Sequence, residues 1–180
     1  MIMEAHKSAL LLIDVQERLA PAIDGIEACL DHCEILLRAA DQLGIPVVAS
    51  EQYPQGLGHT VPRMAAFLAP DQIHEKRHFS CACDPGLAAA LEELGREQIV
   101  LCGIEAHVCV LQTGLDLAAR GRTVAVVADA VGSRRPESRR LALERMRANG
   151  IEVIDTEMAV FEWLSVAGTP EFKALMPLIK

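Results

Sequence analysis

The amino-acid sequence predicts an α/β protein with a doubly wound (Rossmann-like), mostly parallel sheet of six strands. Short apolar runs alternate along the chain with longer segments whose apolar residues recur at helical spacing, and this alternation is typical of such sheets. The first run is continuously apolar, as in a strand that is buried on both faces of a parallel sheet. We predict the strand order 3-2-1-4-5-6 with helices on both faces.

The first half of the chain contains three of the predicted strands. Ser8–Ile13 forms the first and leads directly into Asp14. A long helix follows over residues 22–43, and Gly44 is a plausible C-terminal glycine for it. The remaining predicted elements are a second strand over 45–49, a loop over 50–62 that is a candidate substrate lid or subunit contact, a short helix over 64–68 and a polar third strand over 72–77.

The second half continues the alternation of strands and helices. Asp84 and Pro85 predict a helix start, with the aspartate as N-cap and the proline in the first turn. The other predicted elements are that helix up to residue 95, strands over 98–102, 124–128 and 151–154, helices over about 106–120, 136–148 and 156–166, and an amphipathic tail over 170–180. We expect a single domain over residues 1–180, in which 168–180 dock on the domain itself or on a neighbouring subunit.

Composition and charge restrict the partners. The 180 residues carry a formal net charge of −8, which argues against nucleic acid and leaves a small-molecule substrate as the expected partner. No apolar run is long enough to span a bilayer, and residues 1–12 lack the basic start and cleavage site of a signal peptide. We therefore expect no membrane partner, a cytoplasmic location and six reduced cysteines.

Cys109 is the candidate nucleophile. It falls near the first turn of the helix after the fourth strand, where unpaired N–H groups and the helix dipole favour a thiolate. A single cysteine is more often a small buried apolar residue. The residues around Cys109 must therefore show whether it is a nucleophile. In the predicted order, strands one and four are adjacent, and Asp14 therefore faces the same crevice and could accept the thiol proton. Lys76, after the third strand, is the candidate cation, although it lies two strands from Asp14.

Three separated motifs lie at the ends of predicted strands: Leu-Leu-Ile-Asp-Val-Gln over 11–16, Glu-Lys-Arg-His-Phe-Ser over 75–80, and Gly-Ile-Glu-Ala-His-Val-Cys-Val over 103–110. In this order and spacing they resemble the isochorismatase-like superfamily of cysteine hydrolases, which includes nicotinamidases, N-carbamoylsarcosine amidases and isochorismatases. The segment Ser-Glu-Gln-Tyr-Pro-Gln-Gly-Leu-Gly over 50–58 is most similar to isochorismatase-domain-containing proteins. The resemblance extends from about residue 9 to the C-terminal tail.

The resemblance implies a catalytic triad of Cys109, Asp14 and Lys76. It also implies a cis peptide between Ile104 and Glu105, and an oxyanion hole formed by the backbone N–H groups of Glu105 and Cys109. The implied reaction is hydrolysis of a C–N bond in a small amide through a thioester, by a homo-oligomer. Residues that could contact the substrate are Gln16, Tyr53, Phe79 and His107.

Metal and other cofactors are not expected. Nicotinamidases carry a metal-binding Asp-x-His motif, where this chain has Ser-Glu-Gln-Tyr-Pro over 50–54. His59, His74 and His78 are not at ligand spacing, and the one-residue separation of Cys81 and Cys83 is poor for zinc. Isochorismatases cleave a vinyl ether without a cysteine nucleophile, so the presence of Cys109 favours amide chemistry.

Several alternatives remain open from the sequence. The chain could keep the fold as a non-catalytic binding or scaffolding protein. Tyr53 and Phe79 could pack in the core, and His107 could face solvent. A nucleotide-binding domain is disfavoured because no Gly-x-Gly-x-x-Gly turn follows the first strand. The arginines at 134, 135, 139 and 140 are better explained as a solvated helix face than as a phosphate site, and Cys29 and Cys33 as core residues.

Overall fold

A six-stranded, all-parallel sheet forms the centre of the molecule. The computed structural model describes residues 1–179. The strand order is β3-β2-β1-β4-β5-β6, which confirms the predicted topology. The strands are β1 (Ser8–Ile13), β2 (Val47–Gln52), β3 (Ile73–Lys76), β4 (Gln98–Ile104), β5 (Thr123–Gly132) and β6 (Glu152–Ile154).

Helices cover both faces of this sheet. They are α1 (Ile26–Leu43), α2 (Pro54–Leu57), α3 (Pro62–Ala65), α4 (Pro85–Glu93), α5 (Leu111–Ala119), α6 (Pro136–Ala148), α7 (Thr156–Leu164) and α8 (Pro170–Leu175). A π-helical turn over Ala106–Val110 leads into α5. The Asp84 side chain accepts a hydrogen bond from the N–H of Gly86 (3.2 Å), as predicted for the N-cap of α4.

Alternate residues of the strands pack into two apolar layers, one on each face of the sheet. In β1, Leu10 and Leu12 belong to one layer, whereas Leu11 and Ile13 belong to the other. The first layer is completed by side chains of α1 and α7, and the second by side chains of α4, α5 and α6. All six residues of β1 are buried, as expected for a central strand with helices on both faces.

β2 and β5 extend beyond their predicted ends. β2 continues through Ser50, Glu51 and Gln52, which were assigned to the loop over 50–62 because of the glycines and prolines in that segment. All three side chains are buried and make hydrogen bonds with polar groups, so burial does not leave them unsatisfied. β5 continues to Gly132 instead of ending at residue 128.

The C-terminal tail packs on the first apolar layer. Leu175 of α8 is buried, and Phe172 of the same helix packs against this layer and against Phe161 of α7, with ring centroids 6.4 Å apart. Lys180, the last residue of the predicted tail, lies outside the described residues. Within residues 1–179, no helix combines the length and the apolar character needed to cross a bilayer.

Candidate active site

The carboxyl ends of β1 and β3 bring together an aspartate and a lysine. Asp14 follows β1 directly, with a φ of 51° in the left-handed region, which aspartate tolerates better than most residues. Its side chain is fully buried. Its Oδ1 accepts a hydrogen bond from the Ser50 hydroxyl (2.7 Å), and its Oδ2 accepts one from Lys76 Nζ (2.8 Å).

Lys76 reaches Asp14 by crossing over the intervening strand β2. It is the last residue of β3 and pairs in register with Gln52, whose Oε1 accepts a hydrogen bond from Nζ (2.6 Å). The backbone carbonyls of His78 and Phe79 lie 3.3 and 3.2 Å from Nζ. The structure therefore surrounds the ammonium group with oxygen acceptors, which compensates for its lost hydration.

The buried ion pair shifts the pKa of both partners. Burial raises the pKa of Asp14 above its usual range, although the charge of Lys76 and the hydrogen bonds to the carboxylate oppose this shift. Burial would lower the pKa of Lys76, but the negative charge of Asp14 raises it. Lys76 is therefore held as a cation, and Asp14 is a stronger base than an exposed aspartate.

Cys109 lies in the π-helical turn after β4, and its thiol is close enough to the Asp14 carboxylate for each group to shift the pKa of the other. Burial and the negative charge of Asp14 raise the pKa of the Cys109 thiol, with only partial opposition from Lys76. The expectation that the helix start would favour a thiolate was therefore wrong, because burial and the carboxylate outweigh the helix dipole. The resting group is a thiol that needs a base, and Asp14 is the carboxylate close enough to raise its pKa.

Glu105 connects this turn to the segment after β5. The peptide bond between Ile104 and Glu105 is cis, as the resemblance implies. The Glu105 side chain is buried, and its carboxylate accepts hydrogen bonds from the backbone N–H of Arg134 (3.0 Å) and from Arg134 Nε (3.1 Å). The side chain thus has a structural role that sequence reasoning did not assign to it.

Of the four residues suggested for substrate contact, Gln16 is placed differently from the prediction. Its side chain is completely buried, and its amide bonds to the backbone N–H of Gln52 (2.8 Å), to the carbonyl of Gln52 (3.0 Å) and to that of Gly58 (2.7 Å). Because no part of Gln16 is left for a substrate, it positions the segment after β2 instead.

The other three suggested residues reach the surface. Tyr53 is 43% exposed and Phe79 is 55% exposed, so the alternative that they pack in the core is wrong. The guanidinium of Arg77 stacks over the Tyr53 ring, 4.2 Å from its centroid. His107 is partly buried in the turn that contains Cys109, and its Nδ1 lies 3.0 Å from the Ser133 hydroxyl.

Sequence reasoning missed Ser50 and Gln52 as parts of the site, and it did not identify Cys81 as a neighbour of the ion pair. Ser50 and Gln52 bind Asp14 and Lys76 as described above, and the only sequence signal for them was their place in a motif. Cys81 is buried near the ion pair, and its N–H donates to the Thr113 hydroxyl (2.9 Å). Burial and the charge of Asp14 raise the pKa of the Cys81 thiol to about 11.

Three further cysteines were considered in the sequence analysis, and the structure places them as follows. Cys83 is exposed, and its thiol lies 3.1 Å from Asp116 Oδ2. Cys29 and Cys33 are buried in the first apolar layer, as predicted. In the part of the chain that the structure describes, no three His, Cys, Asp or Glu side chains are grouped to hold a metal ion.

Proteins with a similar sequence or fold are known. The protein-family model described as the Isochorismatase domain matches residues 8–158. Isochorismatase domain-containing protein 1 of Danio rerio is 41% identical over 174 residues, which are 96% of this chain and 61% of that protein. The chain thus spans less than two thirds of that relative's length.

Solved structures share the fold over nearly the whole chain. The MAR1 ribonuclease of Caenorhabditis elegans is 38% identical, with a TM-score of 0.92, and the match covers 99% of this chain and 92% of that one. The YcaC gene product of Escherichia coli, an octameric hydrolase of unknown specificity, is 20% identical, with a TM-score of 0.93 and coverages of 99% and 90%. At 20% identity this second likeness concerns the fold alone.

Proposed function

The chain belongs to the isochorismatase family, and we propose that it is a cysteine hydrolase that cleaves a C–N bond of a small amide through a thioester. Membership of this family supports hydrolase chemistry in general. The amide substrate, the nucleophile and the thioester are our proposal. The observation that carries it is the closeness of the Cys109 thiol to the buried carboxylate of Asp14, which is held by Lys76 and Ser50.

In the first half of the proposed reaction, Asp14 accepts the proton of the Cys109 thiol while the sulfur attacks the amide carbonyl carbon. The carbonyl π electrons move to oxygen, and the backbone N–H groups of Glu105 and Cys109 stabilise the oxyanion. When the intermediate collapses, the C–N bond breaks and Asp14 returns its proton to the nitrogen. The products of this half are a free amine or ammonia and a thioester on Cys109.

In the second half, Asp14 accepts a proton from water, and the resulting hydroxide attacks the thioester carbonyl. The carbon–sulfur bond then breaks, the acid is released, and Asp14 returns its proton to the sulfur. Lys76 keeps its charge throughout and maintains Asp14 as a carboxylate between proton transfers. The raised pKa of Asp14 suits this role, because a stronger base is better matched to a thiol whose own pKa is raised.

The test is a screen of small amides, ureas and imides with wild-type protein, Cys109→Ala and Cys81→Ala. We expect hydrolysis by the wild type and a loss of at least about a thousandfold in Cys109→Ala, since the nucleophile is removed. Cys81→Ala is the matched control, because it removes a neighbouring buried thiol that has no step in the reaction. Mass spectrometry of rapidly quenched samples would show the acyl group on Cys109.

Two outcomes contradict the proposal. Activity that survives in Cys109→Ala excludes the covalent mechanism. Absence of any turnover, together with an alkylation rate of Cys109 that Asp14→Asn leaves unchanged, favours the non-catalytic binding or scaffolding protein.

An RNA oligonucleotide belongs in the same screen, because the Caenorhabditis elegans neighbour is named a ribonuclease. RNA cleavage that depends on Cys109 would overturn the prediction from the charge of −8 that nucleic acid is not a partner.

We also propose that the protein acts as a homo-oligomer in the cytoplasm. The exposed aromatic rings of Tyr53 and Phe79 lie next to the site and would be covered by a neighbouring subunit. The Escherichia coli neighbour is an octamer, but at 20% identity it does not determine the state of this chain. Light scattering of the purified protein measures the number of subunits, and a monomer would contradict this part of the proposal.

A further inference from the structure

Gln52 is a buried, uncharged neighbour of the ion pair. It is the last residue of β2, the strand between β1, which leads into Asp14, and β3, which ends at Lys76. It pairs in register with Lys76, so the two side chains lie on the same face of the sheet. Its Oε1 accepts the shorter of the two close hydrogen bonds of the ammonium group, 2.6 Å from Nζ, whereas Asp14 Oδ2 lies at 2.8 Å.

The side-chain amide of Gln52 is satisfied in one orientation only. Its Nε2 donates to the backbone carbonyl of Arg77 (2.9 Å), a group that can only accept. Its Oε1 faces the ammonium of Lys76, a group that can only donate. A flipped amide would face donor with donor and acceptor with acceptor. Oε1 is therefore held towards Nζ.

The backbone of Gln52 is held by the side chain of Gln16. The Oε1 of Gln16 accepts from the N–H of Gln52 (2.8 Å), and its Nε2 donates to the carbonyl of Gln52 (3.0 Å). The same Nε2 also donates to the carbonyl of Gly58 (2.7 Å), so both of its hydrogens are used. The position of Gln52 is thus set by groups other than Lys76.

Lys76 needs such a fixed acceptor, because its ammonium sits on a flexible four-carbon stem. The other two acceptors, the backbone carbonyls of His78 and Phe79, lie farther from Nζ, at 3.3 and 3.2 Å. Both belong to the segment directly after β3, so they do not draw the ammonium across β2. Gln52 supplies an acceptor on β2 itself, and as a neutral amide it does not compete with Asp14 for the positive charge.

We propose that Gln52 is a positioning residue that holds the ammonium group of Lys76 beside Asp14 during proton transfer. This inference rests on the proposed function, in which ionised Asp14 accepts the thiol proton. Without the amide, the ammonium moves back towards the carbonyls after β3, and less positive charge remains beside Asp14. The titratable groups that act on Asp14 are Lys76, Cys109 and Cys81. Of these, only Lys76 is a cation that lowers the pKa of Asp14, so its displacement raises that pKa.

The first test is Gln52→Met, which keeps the length of the side chain and removes the acceptor. We expect kcat/KM for amide hydrolysis at neutral pH to fall by about 10- to 100-fold, as for the loss of one hydrogen bond to a charged group. The acidic limb of the pH–rate profile should move to higher pH, because Asp14 ionises less readily. A purely structural role of Gln52 would not move this limb.

Gln98→Met is the matched control. Gln98 is also buried, and its amide bonds to the backbone N–H of Glu4 (2.7 Å), the hydroxyl of Ser8 (3.1 Å) and the carbonyl of Ile2 (3.0 Å). It lies at the amino end of β4, whereas the ion pair lies at the carboxyl ends of the strands. We expect Gln98→Met to lower stability and to leave the acidic limb unchanged.

A second test needs no turnover. Carbon-13 NMR of protein labelled at the aspartate carboxyl carbons follows the titration of Asp14, whose signal is absent in Asp14→Asn. We expect Asp14 to titrate at higher pH in Gln52→Met than in the wild type or in Gln98→Met. Gln52→Asn, whose amide is one methylene too short to reach Nζ, should behave like Gln52→Met.

The outcomes separate this inference from the proposed function. A shifted titration of Asp14 in a protein that hydrolyses no amide supports the positioning role and contradicts the proposed function. Amide hydrolysis through Cys109, with titration and acidic limb unchanged in both Gln52 variants, overturns the positioning role and leaves the proposed function standing. The role is also overturned if Gln98→Met gives the same shift, or if both Gln52 variants fail to fold where Gln98→Met folds.

Discussion

The carboxylate of Asp14 and the ammonium group of Lys76 are buried together, and each keeps its charge because of the other. Neither side chain is exposed to solvent, and their 2.8 Å contact takes the place of hydration. Such a pair adds little net stability compared with apolar residues, but removing one partner leaves a buried charge without compensation. The pair can therefore be tested by removing its members singly and together.

We expect Lys76→Met to lower the free energy of unfolding by about 3 to 5 kcal/mol at neutral pH, because Asp14 loses its buried partner. The amide hydrolysis rate should fall by at least about a hundredfold, since an aspartate that becomes protonated cannot accept the thiol proton. Activity requires ionised Asp14 and is lost as pH falls through its pKa. Without Lys76 that pKa rises further, so the acidic limb of the pH–rate profile should move to higher pH.

Lys173→Met on the exposed side of α8 is the matched control for charge and length. The double variant Asp14→Asn, Lys76→Met should recover much of the stability, because it buries a neutral amide beside an apolar chain, but it should remain inactive. Urea denaturation and pH–rate profiles give the two readouts. If the Lys76→Met protein had normal activity and an unchanged acidic limb of its pH–rate profile, Lys76 would not contribute to catalysis.

For single residues, the sequence predicted which side chains lie close together better than it predicted their protonation states and hydrogen bonds. Asp14 and Cys109 could be joined because adjacent parallel strands end at one edge of the sheet. The protonation state of Cys109 could not be predicted, because it depends on burial and on the distance to a carboxylate. Gln16 was taken for a substrate contact, because a motif does not show that both ends of its amide bind the backbone.

β1 and β4 are the elements that set the distance between Asp14 and the turn that contains Cys109. Ile13, the last residue of β1, pairs with Gly103, the last residue but one of β4. Gly103 has a φ of 111°, and a Cβ at this position would overlap the backbone atoms of Ile13. The glycine thus allows the two strands to approach closely just before the site.

We expect Gly103→Ala to lower the free energy of unfolding by about 3 to 5 kcal/mol, because it adds a steric clash to an unfavourable φ. Gly121→Ala is the control: its φ is 82°, but nothing lies within 4 Å of the added carbon, so only the backbone strain of about 1 to 3 kcal/mol applies. Urea denaturation measures both. Equal losses in the two variants would show that the approach to Ile13 is unimportant.

The ends of the elements were harder to predict than their existence. β2 was expected to stop at residue 49, because the glycines and prolines of the segment over 50–62 indicated a loop. The strand continues through Ser50, Glu51 and Gln52 because residues far away in sequence form hydrogen bonds with their buried polar groups. Glu51, for example, accepts hydrogen bonds from the N–H and the hydroxyl of Thr60 (2.6 and 2.8 Å). Such partners follow from tertiary structure, which local patterns do not contain.

Over the whole molecule, the two apolar layers separate the site from the C-terminal tail. Cys109 and Cys81 belong to the layer formed with α4, α5 and α6, whereas Leu175 of α8 belongs to the layer formed with α1 and α7. The central strands lie between these layers. A loss of packing in the tail should therefore weaken the fold without changing the geometry at Cys109.

We expect Leu175→Ala to lower the free energy of unfolding by about 2 to 4 kcal/mol, because Leu175 is only 3% exposed and its truncation leaves a cavity. The control, Val166→Ala, alters a residue that is 60% exposed and should change stability by less than about 0.5 kcal/mol. Below the unfolding transition, both variants should hydrolyse amides at the wild-type rate. A reduced rate in folded Leu175→Ala would mean that the layers are coupled.

The expectation of one domain over residues 1–180 predicts a single unfolding transition for each variant, in which loss of the tail's packing and exposure of Cys109 to alkylation coincide.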